Sequence, residues 1–211
     1  MWSDLIRPWQ ACLDLAWEAY CNDCYPIGAV VTDADGKVLS SGRNRIYEKK
    51  TRHGRRPGNE IAHAELEALQ ALNYGKPDRH TCILYTTTEP CPMCMGTFYM
   101  SGLRTLTYAA RDPYAGSVNM LGSTWYLSHK PIKVSGPDPM LETFIVALFV
   151  EQDLNFHDAK LQGLFWEIYG KVLPKGIGLG QQLYDLGNLK AMRKGGLAAC
   201  DVFDQLLPDL V

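Results

Sequence analysis

Apolar residues recur along this chain in two rhythms, every three to four positions and every second position, and the switches between them mark its elements. Leu5, Trp9, Cys12, Leu13, Ala16, Trp17 and Tyr20 follow an i, i+3, i+4 series that predicts an amphipathic helix over residues 3–20. After Tyr25-Pro26, the run Ile27-Gly28-Ala29-Val30-Val31-Thr32 reads as a strand. Asp33-Ala34-Asp35-Gly36 is a tight turn, and Lys37 to Gly42 returns as the second strand of a hairpin. Gly28 lets the backbone there approach a helix or a ligand closely. Ala64, Leu66, Ala68, Leu69, Ala71 and Leu72 restore helical spacing behind Asn59-Glu60, a cap signal. Cys82 to Thr86 is a strand, followed by a turn and a helix opening near Pro92, whose fixed φ suits a first helical turn. Thr105 to Ala109 is a further buried strand. Joined to Cys82–Thr86 through a helix, it makes a βαβ unit whose strands run parallel. Near the end, Asp158 to Val172 and Leu179 to Met192 read as helices separated by Pro174-Lys175-Gly176-Ile177-Gly178, with a last apolar segment around Leu197 to Leu207.

Two short pieces inside this pattern carry chemistry: His63-Ala64-Glu65 and Pro90-Cys91-Pro92-Met93-Cys94. One imidazole and two thiolates form a borderline-soft ligand set that suits tetrahedral zinc and leaves a fourth position open, as catalysis requires. A lone Cys-x-x-Cys would say little, because thiol pairs also serve as redox sites or buried apolar residues. Here the His, the Glu two residues on and the Pro before the first Cys coincide. The predicted helices put His63 and Glu65 in the first turns of one and Cys91 and Cys94 at the start of another. Helix N-termini bring partial positive charge, which favours the thiolate form of both cysteines before metal arrives. Cys21-Asn22-Asp23-Cys24 has metal-pair spacing too, but no second ligand pair lies nearby in sequence, so a helix end and loop is the simpler reading.

The His-x-Glu and Pro-Cys-x-x-Cys pieces together resemble the zinc-dependent cytidine and deoxycytidylate deaminase superfamily. Pro26 to Val31 is similar to its first core strand, Pro131 to Ser135 to its short fifth strand, and Met140 to Val150 to the helix that closes its core. Ala109-Ala110-Arg111-Asp112-Pro113-Tyr114-Ala115-Gly116 looks like the Ala-Arg-Asp segment of the branch holding tRNA adenosine deaminases and bacterial-type guanine deaminases. The resemblance covers roughly residues 3–155. It implies an α/β protein with a three-layer α-β-α, cytidine-deaminase-like fold around a mixed, about five-stranded central sheet. Residues 1–155 would be the catalytic domain, and 156–211 a helical C-terminal extension that packs on the core, joins a dimer partner or forms a lid. It further implies Zn2+ held by His63, Cys91 and Cys94, with Glu65 as the catalytic proton shuttle, and a homodimer. Asn44 stands where the branch has a substrate-contacting Asn, although a turn residue is the alternative. The backbone beside Ala64, Glu89 and Pro90 would line the pocket. Tyr114 or Trp125 would stack on a base, or else simply pack.

Composition adds bounds. At 211 residues the chain can bury a full core without disulfides, and 46% hydrophobic with 21% charged residues is ordinary for a globular protein. The first residues lack a basic region followed by an apolar run, and the longest apolar run, Phe144 to Val150, is too short to span a bilayer. Seven cysteines without a secretion signal suit a reducing compartment, so a cytoplasmic enzyme is expected. The net charge of −2 hides a basic stretch: from Arg43 to Arg56 stand seven Lys or Arg against one Glu, leaving fourteen basic and twenty-two acidic residues elsewhere. Such a stretch could steer an anionic substrate, or be a solvated loop. Three functions follow: a deaminase of a base, nucleoside or nucleotide; a tRNA-specific adenosine deaminase; or a non-catalytic zinc-stabilised interaction module. The acidic remainder and a pI near 6.2 favour the first. Which base is attacked depends on loop side chains that no pattern reveals.

Overall fold

The computed structural model describes residues 1–48, 59–75, 78–156 and 159–210. The greater part of the basic stretch, from residue 49 onward, lies outside them. In chain order stand α1 (Arg7–Cys21), β1 (Gly28–Thr32), β2 (Val38–Arg43), α2 (Ala64–Ala71), β3 (Ile83–Thr88), α3 (Pro92–Ser101), β4 (Thr105–Ala110), β5 (Lys133–Ser135) and α4 (Pro139–Phe156). The five strands form one sheet in the order β2-β1-β3-β4-β5. β1 runs antiparallel to β2 and β3, whereas β3, β4 and β5 are parallel, so the sheet is mixed as expected.

All five residues of β1 are buried because both faces of this central strand are covered. Val30 joins an apolar cluster with α1 and α4, and Ala29 and Val31 join the opposite cluster with α2 and α3, as strand alternation dictates. Three layers result. Gly28 marks how closely α1 lies on the sheet: a Cβ there would stand 2.2 Å from the Cys12 carbonyl oxygen. The freedom it grants is for a helix, not a ligand.

One helix starts later than its pattern predicts. Asn59 Oδ1 accepts the Ile61 N–H (3.2 Å) and the Asn59 carbonyl accepts the Ala62 N–H (2.9 Å), so this segment is a turn. α2 begins at Ala64 with His63 as its N-cap.

The C-terminal helices are α5 (Ala159–Val172), α6 (Pro174–Leu186), α7 (Asn188–Lys194) and α8 (Ala199–Leu210). Pro174 to Gly178, expected as a breaker, is the first turn of α6 instead. Pro174 occupies a position that needs no N–H, and the glycines that follow make a seam. A Cβ on Gly176 would meet Val146 Cβ at 2.6 Å, and one on Gly180 would meet Val150 Cβ at 2.6 Å, so α6 lies hard against α4. Helix propensity is given up for close packing. Phe203 of α8 packs edge-on against Trp2 and Phe144, closing the outer side of the same cluster. Among the described residues no helix is long and apolar enough to cross a membrane.

Gly180→Leu should therefore lower stability by about 1–3 kcal/mol through overpacking. Gly178, exposed and with nothing within 4 Å of a built Cβ, should tolerate Ala and gain roughly 0.5–1 kcal/mol. Urea denaturation of both variants beside the parent measures the two signs.

Candidate metal centre and active site

The sheet's register gathers the site. Gly28 pairs with Arg43 and Ala29 with Thr86, so β1 starts, β2 ends and β3 ends at one edge. Thr88 pairs with Ala110, which brings the end of β4 there too. His63 is the N-cap of α2 and Cys91 the N-cap of α3, with Cys94 one turn further in. His63 Nδ1 lies 3.6 Å from Cys91 Sγ and 3.6 Å from Cys94 Sγ, and the three ligand atoms all fall within 4.8 Å of one another. Tetrahedral zinc with bonds of about 2.0–2.3 Å needs ligand atoms roughly 3.5–3.8 Å apart. The donor set and its spacing fit the ion. Among the described residues no other His, Cys, Asp or Glu group has such an arrangement. Cys24 instead turns its thiol to the Asn22 carbonyl at 3.6 Å, the ordinary helix-end reading of the second Cys pair.

The two sulfurs do not ionise alike. Hydrogen bonding from Cys94 and from His63 pulls the Cys91 thiol down to about 4, whereas its bond to Cys91 and its burial push Cys94 up. The helix-start position thus favours the thiolate at Cys91, while Cys94 turns its thiol to Glu65 Oε2, and a metal that binds both sulfurs displaces any proton left on them. His63 is raised, first by its bond to Cys91 and less by the nearby Glu65 charge.

Glu65 is buried on the first turn of α2. Its Oε1 accepts the Thr86 hydroxyl at 3.2 Å, and its Oε2 takes the Cys94 thiol at 3.4 Å. Burial raises its pKa, with His63 opposing. Thr86 points into the site from β3 and carries no motif of its own; only its inward strand parity could have marked it.

A cavity of about 250 Å³ opens here, lined by His63, Glu65 and Cys91 together with Asn44, Asp112 and Tyr169. Asn44 is buried; its Oδ1 accepts the Ile46 N–H at 3.2 Å, which leaves its amide N–H groups for a ligand. Glu89 lines the cavity, but its carboxylate accepts the Val118 N–H (3.2 Å) and the Asp112 N–H (3.4 Å), so it shapes the loop after β4. Ala64 and Pro90 are buried and are not among the lining residues. Pro90 gives its carbonyl to Ser117 at 3.0 Å. Tyr114 sits on the rim, 65% exposed, whereas Trp125, 78% exposed, stands away from the cavity with its ring against His129. Tyr25, Phe149, Asp153 and Tyr169 also line it and were missed, because their spacing is that of core residues.

Of the basic stretch, the described cations are Arg43 and Arg45, and both are paired. Arg43 is buried and ion-paired with Glu18 (3.0 Å) and Glu48 (3.1 Å), and Arg45 pairs with Glu48 (2.5 Å). A larger cleft of about 430 Å³ between α4 and α6 holds Arg111, but its guanidinium is bound bidentately by Glu142 at 2.9 and 2.8 Å. No metal-type ligand set lies there.

Residues 4–110 match the family described as the cytidine and deoxycytidylate deaminase zinc-binding region. The chain belongs to this deaminase family. Over 119 residues it is 36% identical to the tRNA(Ile)-lysidine synthase of Deinococcus radiodurans, a match that covers 54% of this chain and only 19% of that protein. It is similar to a structure from a study of A-to-I editing by tRNA:A34 deaminases at the wobble position of transfer RNA, with TM-score 0.51 and 30% identity over 61% of this chain and 96% of that one. It is also similar to the guanine deaminase of Nitrosomonas europaea, with TM-score 0.50 and 28% identity over 68% of this chain and 81% of that one. In this deaminase-family chain the family model ends at residue 110, so Asp112, Phe149, Asp153 and Tyr169 lie beyond it.

Cys94→Ala should weaken zinc affinity by more than the roughly 10–100-fold typical of losing an outer hydrogen-bond partner, whereas Thr86→Val, whose hydroxyl binds Glu65 and no ligand atom, should leave it near the parent value. Competition against a chromophoric chelator reads both values.

Proposed function

We propose that the protein is a zinc-dependent hydrolytic deaminase that converts an amino group on a nucleobase, nucleoside or nucleotide to a carbonyl with release of ammonia. One observation carries this reading. The Glu65 carboxyl is buried, raised in pKa, and lines the cavity two residues from His63. A purely structural metal site has no use for such an acid and closes with a fourth protein ligand, which argues against a zinc-stabilised interaction module.

His63, Cys91 and Cys94 would hold zinc, which would supply Lewis acidity toward a water. Glu65 takes a proton from the attacking water as the water oxygen bonds to the amino-bearing carbon, and delivers it to the adjacent ring nitrogen. The same carboxyl then carries the proton of the newly added hydroxyl to the amino group, so that the C–N bond breaks, the carbonyl forms and ammonia departs. The Thr86 hydroxyl on Oε1 holds the carboxyl's orientation and leaves Oε2 on the side of Cys94. Asn44 offers N–H groups to a ring oxygen or nitrogen. Residues 1–155 are the catalytic part in this reading, residues 156–211 are the helical extension, and a homodimer in the cytoplasm is the working form. Sedimentation at micromolar concentration tests the dimer.

The second reading, a tRNA-specific adenosine deaminase, draws on the likeness to the tRNA:A34 deaminase structure. It requires tRNA binding with a steep salt dependence, because phosphate contacts release counterions. Salt-insensitive turnover of a free base removes it. An ammonia-release screen across bases, nucleosides, nucleotides and tRNA separates the two. Glu65→Gln should keep its zinc and lose about 10²–10⁴-fold in kcat, the usual cost of removing a general acid-base; a variant that turns over at the parent rate refutes the assignment.

A further inference from the structure

Resting on the deaminase reading, we propose that α5 supplies the residue that sets substrate class: Tyr169 walls the cavity so that it admits a bare, uncharged heterocycle and shuts out a base carrying a ribose phosphate. Three observations lead there. The first is where Tyr169 comes from and what it holds. It belongs to the helical extension, well past the family match, yet it is only 4% exposed and lines the same cavity as His63, Glu65 and Cys91. Its hydroxyl donates to Asp112 Oδ1, the same oxygen that accepts the N–H groups of Tyr114 (3.0 Å) and Ala115 (2.9 Å). A tyrosine of α5 thereby anchors the loop after β4 that forms the rim.

The second is the shape of the wall. Tyr169 lies parallel to Phe149 of α4, with interplanar angle 5° and centroids 6.2 Å apart, and Phe149 is stacked on Tyr25 at 10° and 4.8 Å. Three parallel rings make an aromatic stack beside the cavity, against which a planar ligand can pack. The cavity, open to solvent on one side, has about 250 Å³, below the roughly 300–1,000 Å³ of pockets that take drug-sized molecules. One heterocycle suits it.

The third is charge. The lining residues include Glu65, Glu89, Asp112 and Asp153, and among the described lining residues there is no Lys or Arg. Arg43 and Arg45 are already paired with acids, and Arg111 is bound by Glu142. A phosphate would meet these acids, and the described lining residues offer no Lys or Arg to receive it, whereas ring N–H and exocyclic amino groups are donors that carboxylates accept.

Tyr169 is a specificity residue, and its test separates binding from turnover. Glu65→Gln, loaded with zinc, is titrated calorimetrically with guanine, adenine and cytosine, with their nucleosides and with their 5′-monophosphates. The parent, Tyr169→Phe and Tyr169→Ala are then assayed for ammonia release on the same panel, with zinc content and circular dichroism as folding checks. At least one free base should bind Glu65→Gln more tightly than its monophosphate by upward of about 100-fold, some 2.7 kcal/mol. Tyr169→Ala should shrink the base-to-nucleoside ratio of kcat/KM by about tenfold or more. Tyr169→Phe, which keeps the ring and loses only the bond to Asp112, should shrink it by roughly three- to tenfold. An unchanged ratio in a folded, zinc-loaded Tyr169→Ala overturns the proposal, and so does a monophosphate that binds as well as its base. A parent that releases no ammonia while its free-base selectivity in binding persists sinks the deaminase reading and leaves the wall's role standing. Should Tyr169→Ala fail to fold, Tyr169→Phe together with the binding ratio decides.

Discussion

Two helix starts are forced to one edge of the sheet, and the rest of the molecule follows from that meeting. A parallel β3-α3-β4 unit must begin its crossover helix at the carboxyl end of β3, and this places Cys91 there. The antiparallel hairpin of β1 and β2 returns the chain to the same edge, because Gly28 faces Arg43 and Ala29 faces Thr86. From that edge the Arg45 N–H bonds the Ala62 carbonyl at 2.9 Å, and α2 begins immediately afterward with His63 as its cap. Ligands in open α/β sheets gather at the carboxyl ends of strands for this topological reason. An imidazole and two sulfurs meet only because both helices start where the strands stop.

Burying several acids at such an edge has a cost that the structure meets one group at a time. Glu142 is neutralised by Arg111 and also accepts its backbone N–H at 2.9 Å. Glu89 is held by backbone N–H groups of the loop after β4, and Asp112 by two N–H groups and the Tyr169 hydroxyl. Glu65 alone keeps its charge disfavoured by burial, with one hydroxyl and a thiol for company. A carboxyl left in that condition is suited to exchanging protons. Glu89, Asp112 and Glu142 by contrast hold backbone and side-chain partners in place.

Legibility along the chain followed the range of the forces involved. The strands, the βαβ unit and the metal motif depend on neighbours within a few residues, and their positions agree with the pattern to within one or two residues at most boundaries. Where a local preference had two outlets, the reading missed. Asn59 looked like a helix cap and makes a turn instead, since its side chain satisfies a backbone N–H without any helix. Pro174 to Gly178 looked like a break and starts α6, since the glycines are needed for the approach of α4, a contact that only the folded chain creates.

From its own residue types the chain determined which chemistry is on hand: one imidazole, two thiols and an acid at helix starts, all short-range matters of spacing and periodicity. The folded arrangement alone brought the imidazole within 3.6 Å of both sulfurs, across 28 and 31 residues of chain. It alone decided that Arg43 is internal and that both Arg43 and Arg45 are ion-paired, because their partners come from α1 and from the turn after β2. Above all it brought Tyr169 and Asp153 to the cavity, since a side chain in a later helix has no local signature of what it will face once that helix lies on the core.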